Sequence, residues 1–264
     1  MTAPALAKAH KDTAQAMLDV ERVGLHVLKG AVAQVGRGDP IVVARQSHDV
    51  VAATLVDIRR AARTQGAIRF GAEVAAAGAS IPIPDLPTPT DADRLAAERS
   101  ARGYSDALVK QAQEWFAEHD RAQADPVLQA DAAYLESIVA TDVSEAFNDE
   151  RVRIERYMAK ENEDSSWWPF LTKTWCCDLE TAHRARRMGK KTRSGRAVSG
   201  PCDRCLALNK TTIGWGSDWP GGAEPGAVHR HCRCFVKYSA LPFEVTRKKQ
   251  GAAMTVPSMP DFEE

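Results

Sequence analysis

The sequence predicts a mainly α protein, with long helical hairpins in its N-terminal region and a small irregular α+β module near its C-terminal end. Three observations lead to this fold class. The chain is rich in alanine and has only 6% aromatic residues among its 264, a composition that suits closely packed helices better than sheets. Apolar residues recur at helical spacing as far as about residue 160. All six cysteines lie beyond residue 175, where that periodicity has ended.

Residues 1–78 are predicted to form the first helical hairpin. Helical periodicity indicates one helix from about Thr2 to Val35 and a second from about Pro40 to Ala77. A Gly-Arg-Gly segment separates them, and Asp39 is well suited to cap the second helix in front of a first-turn proline. The apolar positions that define the second helix are Val51, Leu55 and Ile58.

The four prolines of residues 79–90 predict an extended linker, because proline cannot continue a helix. Residues 91–165 are then predicted to form a second hairpin that leads into the C-terminal module. Its first helix is expected to end at about Arg121. Its second helix is expected to run from about Pro126 to about Lys160. Arg151 falls near the end of the latter helix, where the helix dipole favours cations. The expected core anchors of the former helix are Leu95, Leu108, Trp115 and Phe116.

The C-terminal module is predicted to span residues 166–242, with a polar tail over residues 243–264. Residues 151–250 contain 20 Lys or Arg and 10 Asp or Glu, a net charge of about +10 in a chain whose total charge is zero. Such asymmetry indicates an anionic partner for the basic part of the chain. The candidate contacts to DNA or another anion share the most basic stretch and are Arg184, Arg186, Arg187, Lys190, Lys191, Arg193 and Arg196.

Cysteine and histidine spacing predicts a zinc site within this module. Cys202 and Cys205 form a C-x2-C pair, and two thiolates at that spacing can bind one ion from a tight turn. His229 and Cys232 repeat this step about 24 residues later and form the preferred second pair, with Cys234 as the reserve ligand. Four protein ligands leave no open position on the ion. The zinc is therefore expected to be structural and to supply part of the folding free energy of a zinc-stabilised module.

Other features narrow the function. Cys176 and Cys177 are expected to be packing residues, because adjacent cysteines cannot easily bind one ion together, and participation in the metal site is the less favoured alternative. No phosphate-binding loop, nucleophile elbow or zinc-protease helix motif is present in the sequence, so an enzyme is not expected. The first residues carry no apolar signal segment, and no apolar run approaches the roughly 20 residues that span a bilayer. We therefore expect synthesis in a cytoplasm and no membrane segment.

Residues 138–238 contain a series of motifs at definite spacing. A helix pattern T-x3-E-A-x-N-x2-R is followed by K-x-W with a nearby Asp, by C-x2-C-x2-L, and finally by H-x2-C-R-C. These motifs resemble those of the phage Mu F-like (MuF) minor head protein family. Lys210 and Arg230 depart from the family pattern, which often has Gly and Pro at these positions. The residues that carry the resemblance are Thr141, Glu145, Ala146, Asn148, Arg151, Lys173, Trp175, Asp178, Cys202, Cys205, Leu208, His229, Cys232, Arg233 and Cys234.

The resemblance implies a minor structural protein of a tailed-phage head, without enzymatic activity. Such proteins are associated with the portal protein and the capsid interior and act in head morphogenesis, and some contact packaged DNA or leave with it. The resemblance also implies several copies per virion, at the capsid interior or the portal vertex, made in the host cytoplasm. Because Lys and Arg bind phosphates without reading sequence, the expected DNA contact is non-specific.

Two other functions could use the same cysteines. A metal-finger nuclease or toxin would need a histidine beside an open ion, for which His229 or His231 is available, but no second ligand group stands at a recognisable spacing. A zinc-dependent DNA-binding regulator would need a recognition helix, and the basic segment 184–196 is the candidate. Gly189 and Gly195 disfavour a stable helix there.

Overall fold

The computed structural model describes residues 3–35, 39–78, 84, 89–118, 132–161, 171–177, 203–226, 228 and 234–240. Its four long helices are α1 (Ala3–Ala33), α2 (Pro40–Ala76), α3 (Thr90–Glu118) and α4 (Ala132–Glu161). The remaining elements are β1 (Leu171–Cys176), the short helix α5 (Asp203–Leu208), β2 (Thr212–Gly214), a 3-10 turn (Pro220–Gly222) and β3 (Phe235–Ala240). The prediction of a mainly helical chain is confirmed, and a small sheet accompanies the helices.

Helix α2 is the central helix of the bundle and packs against α1, α3 and α4. Helix α1 also packs against α4, so that the four helices enclose one core. Alanine is frequent at the contacts, which allows the helix backbones to approach closely. This first core contains Ala16, Met17, Leu28, Ala44, Val51, Leu55, Ile58, Ala62, Ala97, Ala101, Tyr104, Leu108, Leu135, Ile138, Val139, Val143, Ala146 and Phe147.

Helix α2 begins where the sequence predicts. The Asp39 side chain accepts hydrogen bonds from the backbone nitrogens of Ile41 and Val42, at 2.8 and 3.3 Å. A proline occupies the first turn, where its missing N–H would have had no helical partner. These two features satisfy the otherwise unpaired donors of the helix end and account for its position.

The prediction that Leu95 anchors the core of α3 is wrong, since Leu95 is 59% exposed. The buried face of α3 instead carries Ala97, Ala101, Tyr104 and Leu108, which follow one another at helical spacing. Leu95 lies on the opposite side of the helix, because two residues from Ala97 correspond to more than half a turn. The prediction that Leu108 anchors the core is confirmed, since Leu108 is buried. Most of the other buried residues of α3 are alanines.

The three strands form an antiparallel sheet in the order β2-β1-β3. In β1, Leu171, Lys173 and Trp175 are buried, and the residues between them are half-exposed. This alternation is that of a sheet with one face against the core. Pairing between β1 and β3 places Cys176 opposite Phe235, at the end of both strands.

A second core lies between this sheet and the ends of α2 and α4. Helix α2 contributes Phe70 and Val74, and α4 contributes Ile154 and Met158. Aromatic rings fill the centre: Phe70 contacts both Trp215 and Tyr238, and Trp175 meets Trp219 edge-on. The other members are Leu171, Cys177, Cys205, Leu208, Ala223, Cys234 and Val236. The C-terminal strands therefore bury their inner face against the helical bundle.

Large apolar side chains at the surface are spread over several elements. In the part of the chain that the structure describes, no helix is both long enough and apolar enough to cross a membrane. This agrees with the absence of a long apolar run in the sequence. The exposed residues are Val23, Val27, Ile41, Val42, Ile68, Leu95, Tyr157 and Leu206.

The close contact between α2 and α4 predicts a cost for adding one methyl group. A Cβ atom at Gly66 would lie 2.5 Å from the backbone oxygen of Phe147, so the helices would have to separate. We expect Gly66→Ala to lower the free energy of unfolding by about 1–3 kcal/mol, measured by urea denaturation. Gly30→Ala is the matched control. It is also helical and has no atom within 4 Å of the added Cβ, so it should stabilise by up to about 1 kcal/mol. Equal effects of both changes would contradict this packing.

Candidate metal centre and the strand edge beside it

Three cysteines from separate segments lie together in the second core. Cys177 follows β1, Cys205 belongs to α5, and Cys234 directly precedes β3, and all three are buried. The sulfur atoms of Cys177 and Cys234 are 3.5 Å apart. The Cys177 thiol also donates to the backbone oxygen of Cys205 at 2.8 Å. The ends of β1 and β3 and the short helix therefore meet at a sulfur-rich point.

The register of the sheet brings Cys177 and Cys234 together. Cys176 pairs with Phe235, so the next residue of β1 faces the preceding residue of β3 across the antiparallel ladder. The backbone N–H of Cys177 donates to the Asn209 side chain at 3.1 Å, which ties the end of β1 to the turn after α5. The end of β1 that carries Cys177 is thereby held both by β3 and by the turn after α5.

Cys176 has a different environment from Cys177. It is partly exposed, and strand alternation directs it to the other face of β1. Burial raises the pKa of its thiol, and the nearby charge of Lys237 reduces that effect without cancelling it. The side chains of the two adjacent cysteines thus lie on opposite faces of the sheet.

Of the five predicted zinc ligands, the structure describes two, Cys205 and Cys234. Cys202, His229 and Cys232 lie outside the described residues, as does the basic segment 184–196. Among the residues that are described, no group of three or more Cys, His, Asp or Glu side chains could hold a metal ion. The complete ligand set therefore stays a prediction.

The outer edge of β3 is the second notable feature of this region. Strand β3 pairs with β1 on one side only, so the backbone groups of Cys234, Val236 and Tyr238 on its other side need partners. Asn148 of α4 donates to the backbone oxygen of Cys234 at 3.0 Å. Arg151 donates to the backbone oxygen of Val236 at 2.6 Å. Helical side chains therefore occupy the place of a neighbouring strand.

Tyr238 is bound from two further helices. Its backbone N–H donates to Glu73 of α2 at 2.8 Å, and its backbone oxygen accepts from His10 of α1 at 2.9 Å. Glu73 also forms a buried ion pair with Arg151 at 2.7 Å and accepts a hydrogen bond from Thr13. The edge of β3 is thus held by α1, α2 and α4 together.

A second buried carboxylate supports the inner face of the sheet. Glu155 of α4 accepts from Lys173 at 2.8 Å, from the backbone N–H of Gly216 at 2.6 Å and from the Tyr238 hydroxyl at 3.0 Å. Burial, together with the charge of Glu155, raises the pKa of Tyr238 well above its usual value. The phenol is therefore a neutral donor at ordinary pH.

Sequence reasoning missed the burial of these charged residues. Asn148, Arg151 and Glu155 are spaced so that they lie on one face of α4. A polar helix face is usually exposed to solvent, so their spacing did not indicate burial. Arg151 lies too far from the end of α4 for the expected dipole effect, which is confined to the last turn. The available signal was the T-x3-E-A-x-N-x2-R motif, which contains Asn148 and Arg151.

A further buried charge network joins α2, α3 and α4 away from the sheet. Asp93 accepts two hydrogen bonds from Arg63, at 2.8 and 2.9 Å, and one from Arg59 at 3.0 Å. Burial alone would raise the pKa of Asp93, but the two arginines outweigh it and hold the pKa below its usual value. Arg59 also pairs with Asp142 at 2.8 Å. Burial raises the pKa of Asp142 in spite of that pairing.

Comparison with known proteins found no relative: no protein-family model, no curated protein and no solved structure matches the chain. The resemblance to the MuF family over residues 138–238 therefore stays a prediction from the motif residues of the sequence.

The ion pair between Glu73 and Arg151 predicts a large cost of removing one partner. We expect Arg151→Met to lower the free energy of unfolding by about 3–5 kcal/mol, because Glu73 is left as an unpaired buried charge. The double variant Glu73→Gln/Arg151→Met should recover part of that loss. Arg156→Met is the control on the same helix. Arg156 is 55% exposed in its ion pairs, and its loss should cost at most about 1 kcal/mol. Similar losses at positions 151 and 156 in thermal unfolding would refute this account.

Proposed function

We propose that the chain is a non-enzymatic minor structural protein of a tailed-phage head, associated with the portal and the capsid interior and acting in head morphogenesis. The observation that carries the proposal is the joint use of the motif residues in the fold. Asn148 and Arg151 of the helix motif bind the backbone of Cys234 and of Val236, which follows the H-x2-C-R-C motif. Motifs that are far apart in the sequence thus form one buried unit.

The remaining described motif residues support the same unit. Lys173 of the K-x-W motif is buried and pairs with Glu155 of α4, four residues after Arg151. Trp175 is fully buried in the second core, where Leu208 of the C-x2-C-x2-L motif also lies. These residues stabilise the module by burial and by pairing buried charges. This structural use of the motif residues is what supports the proposed structural role.

The proposal includes one structural zinc ion in the C-terminal module. Cys205 and Cys234, two of the predicted ligands, lie in the same core and bring soft sulfur donors to one region, which fits zinc. When bound, the ion supplies a covalent-like link between chain segments. The protein residues determine which segments are linked and exclude water from the site.

The proposed partners are the portal protein, other head proteins and packaged DNA. The excess of basic residues over residues 151–250 gives the C-terminal part of the chain a positive charge. Neutralising phosphates provides affinity without reading sequence. A protein present in several copies at the portal vertex would meet the genome at high local concentration.

Purified particles of the encoding phage test this function directly. We expect mass spectrometry to detect the chain in both proheads and mature virions, in several copies relative to the major capsid protein. An abundant non-structural phage protein is the control for contamination. A portal gene next to the coding sequence would support the same conclusion. If the chain is abundant in infected cells but absent from proheads and virions, the proposal is wrong.

DNA binding separates this function from its two alternatives. We expect binding to two unrelated duplexes with equal affinity. The slope of log affinity against log salt should approach about −6 if all seven basic residues contact phosphates. Replacing those residues by Gln should abolish most of the slope, in contrast to a control with the same change at exposed basic residues of the helices. The seven are Arg184, Arg186, Arg187, Lys190, Lys191, Arg193 and Arg196. The control residues are Lys8, Arg22, Arg60, Arg94 and Lys110.

Two outcomes of that experiment would contradict the proposal. A strong preference for one duplex sequence would favour the zinc-dependent regulator. Metal-dependent cleavage of the DNA that is lost in His231→Ala would favour the metal-finger nuclease. Anisotropy and gel analysis of the same samples distinguish these results.

A further inference from the structure

We propose that Cys177 is a metal ligand and that it binds the ion together with Cys234. The inference rests on the zinc ion of the proposed function and assigns to it a ligand from the end of β1. The sequence favours a packing role for Cys177 over a role in the metal site, and it prefers His229 to Cys234 as a ligand. The structure places Cys177 and Cys234 side by side in the core.

The distance between the two sulfur atoms suits a shared ion. Zinc binds thiolate sulfur at about 2.3 Å in a tetrahedral arrangement, which separates two sulfur ligands by about 3.8 Å. The observed separation between Cys177 and Cys234 is 3.5 Å. A disulfide would require about 2.05 Å. Binding an ion therefore needs a change of only a few tenths of an ångström in the sulfur positions.

The backbone at both cysteines is fixed by side-chain amides, that of Asn148 buried and that of Asn209 partly buried. Asn209 accepts from the N–H of Cys177 at 3.1 Å, and Asn148 donates to the carbonyl oxygen of Cys234 at 3.0 Å. Hydrogen bonds of this kind, one step outside the ligands, orient metal ligands in proteins. Each amide comes from an element other than the cysteine's own strand. The pair is consequently held from α4 on one side and from the turn after α5 on the other.

Cys205, from the predicted C-x2-C motif, lies next to the pair. The carbonyl oxygen of Cys205 lies 2.8 Å from the Cys177 sulfur, so α5 lies directly against the pair. Two positions of a four-ligand ion remain after Cys177 and Cys234. The proposal assigns them to the predicted C-x2-C pair, of which the structure describes Cys205 alone. On this assignment His229 is not a ligand, and the ion has four sulfur ligands.

Cys177→Ser and Cys176→Ser form a matched pair of variants in the full-length chain. The two cysteines are adjacent and their side chains lie on opposite faces, so only that of Cys177 lies beside Cys234. Zinc content would be measured by atomic emission, and zinc affinity by competition with a chelator. We expect Cys177→Ser to lower the affinity by more than the about 10–100-fold that loss of an outer partner causes. Cys176→Ser and His229→Ala should retain the wild-type affinity.

The outcomes separate this inference from the zinc site itself. If wild-type protein holds one zinc that Cys177→Ser retains and His229→Ala loses, Cys177 is not a ligand and the zinc site stands. If wild-type protein holds no zinc, both ideas are wrong, while the role in the phage head is decided by the virion experiment. A Cys177–Cys234 disulfide in metal-loaded protein would also overturn the inference.

A measurement on the unmutated chain covers the case in which Cys177→Ser does not fold. Replacement of zinc by cadmium-113 allows proton–cadmium correlation spectra to identify each cysteine that is bonded to the ion. We expect signals from the β-protons of Cys177 and Cys234. Signals from other cysteines in the absence of one from Cys177 would refute the proposal.

Discussion

The buried ion pair between Glu73 and Arg151 determines how the sheet sits on the helices. An unpaired charge at such a position would cost several kcal/mol, and each partner here also binds the backbone of β3. The guanidinium group is planar and fixes the directions of its donors, and its two terminal nitrogens reach Glu73 and Val236 at the same time. The pair therefore requires one position of β3 relative to α2 and α4. Hydrophobic contacts alone, which have no direction, would allow the sheet to slide.

This constraint also covers the outer edge of β3, which pairs with no other strand among the described residues. A three-stranded sheet with a free outer edge is a template for pairing with other chains. Side chains from three helices satisfy alternate residues of β3, namely Cys234, Val236 and Tyr238. Because these contacts repeat every second residue, a shift of β3 by one position would break all of them.

Much of the helical architecture follows from local sequence, whereas the candidate site depends on distant contacts. Helical periodicity and the Asp39 cap predict where α2 lies, because both act within a few residues. The burial of Arg151 could not be derived in this way, since its partner Glu73 is 78 residues away. The closeness of Cys177 and Cys234 likewise depends on the pairing of β1 with β3. Leu95 illustrates the limit on α3, because only the packing with α2 decides that alanine and Tyr104 form the inner face.

The ion pair and the cysteine pair act on the same strand and are therefore linked. Cys234 and Val236 are two residues apart on β3, so the contacts of Asn148 and Arg151 fix the strand end that carries Cys234. Cys177 is fixed in turn by the pairing of the residue before it, Cys176, with Phe235 and by the hydrogen bond of its N–H to Asn209 after α5. An ion bound between them would join the strand ends to the short helix, at a point where backbone pairing has stopped. The helices thus hold in place the strand end at which the proposed ion would lie.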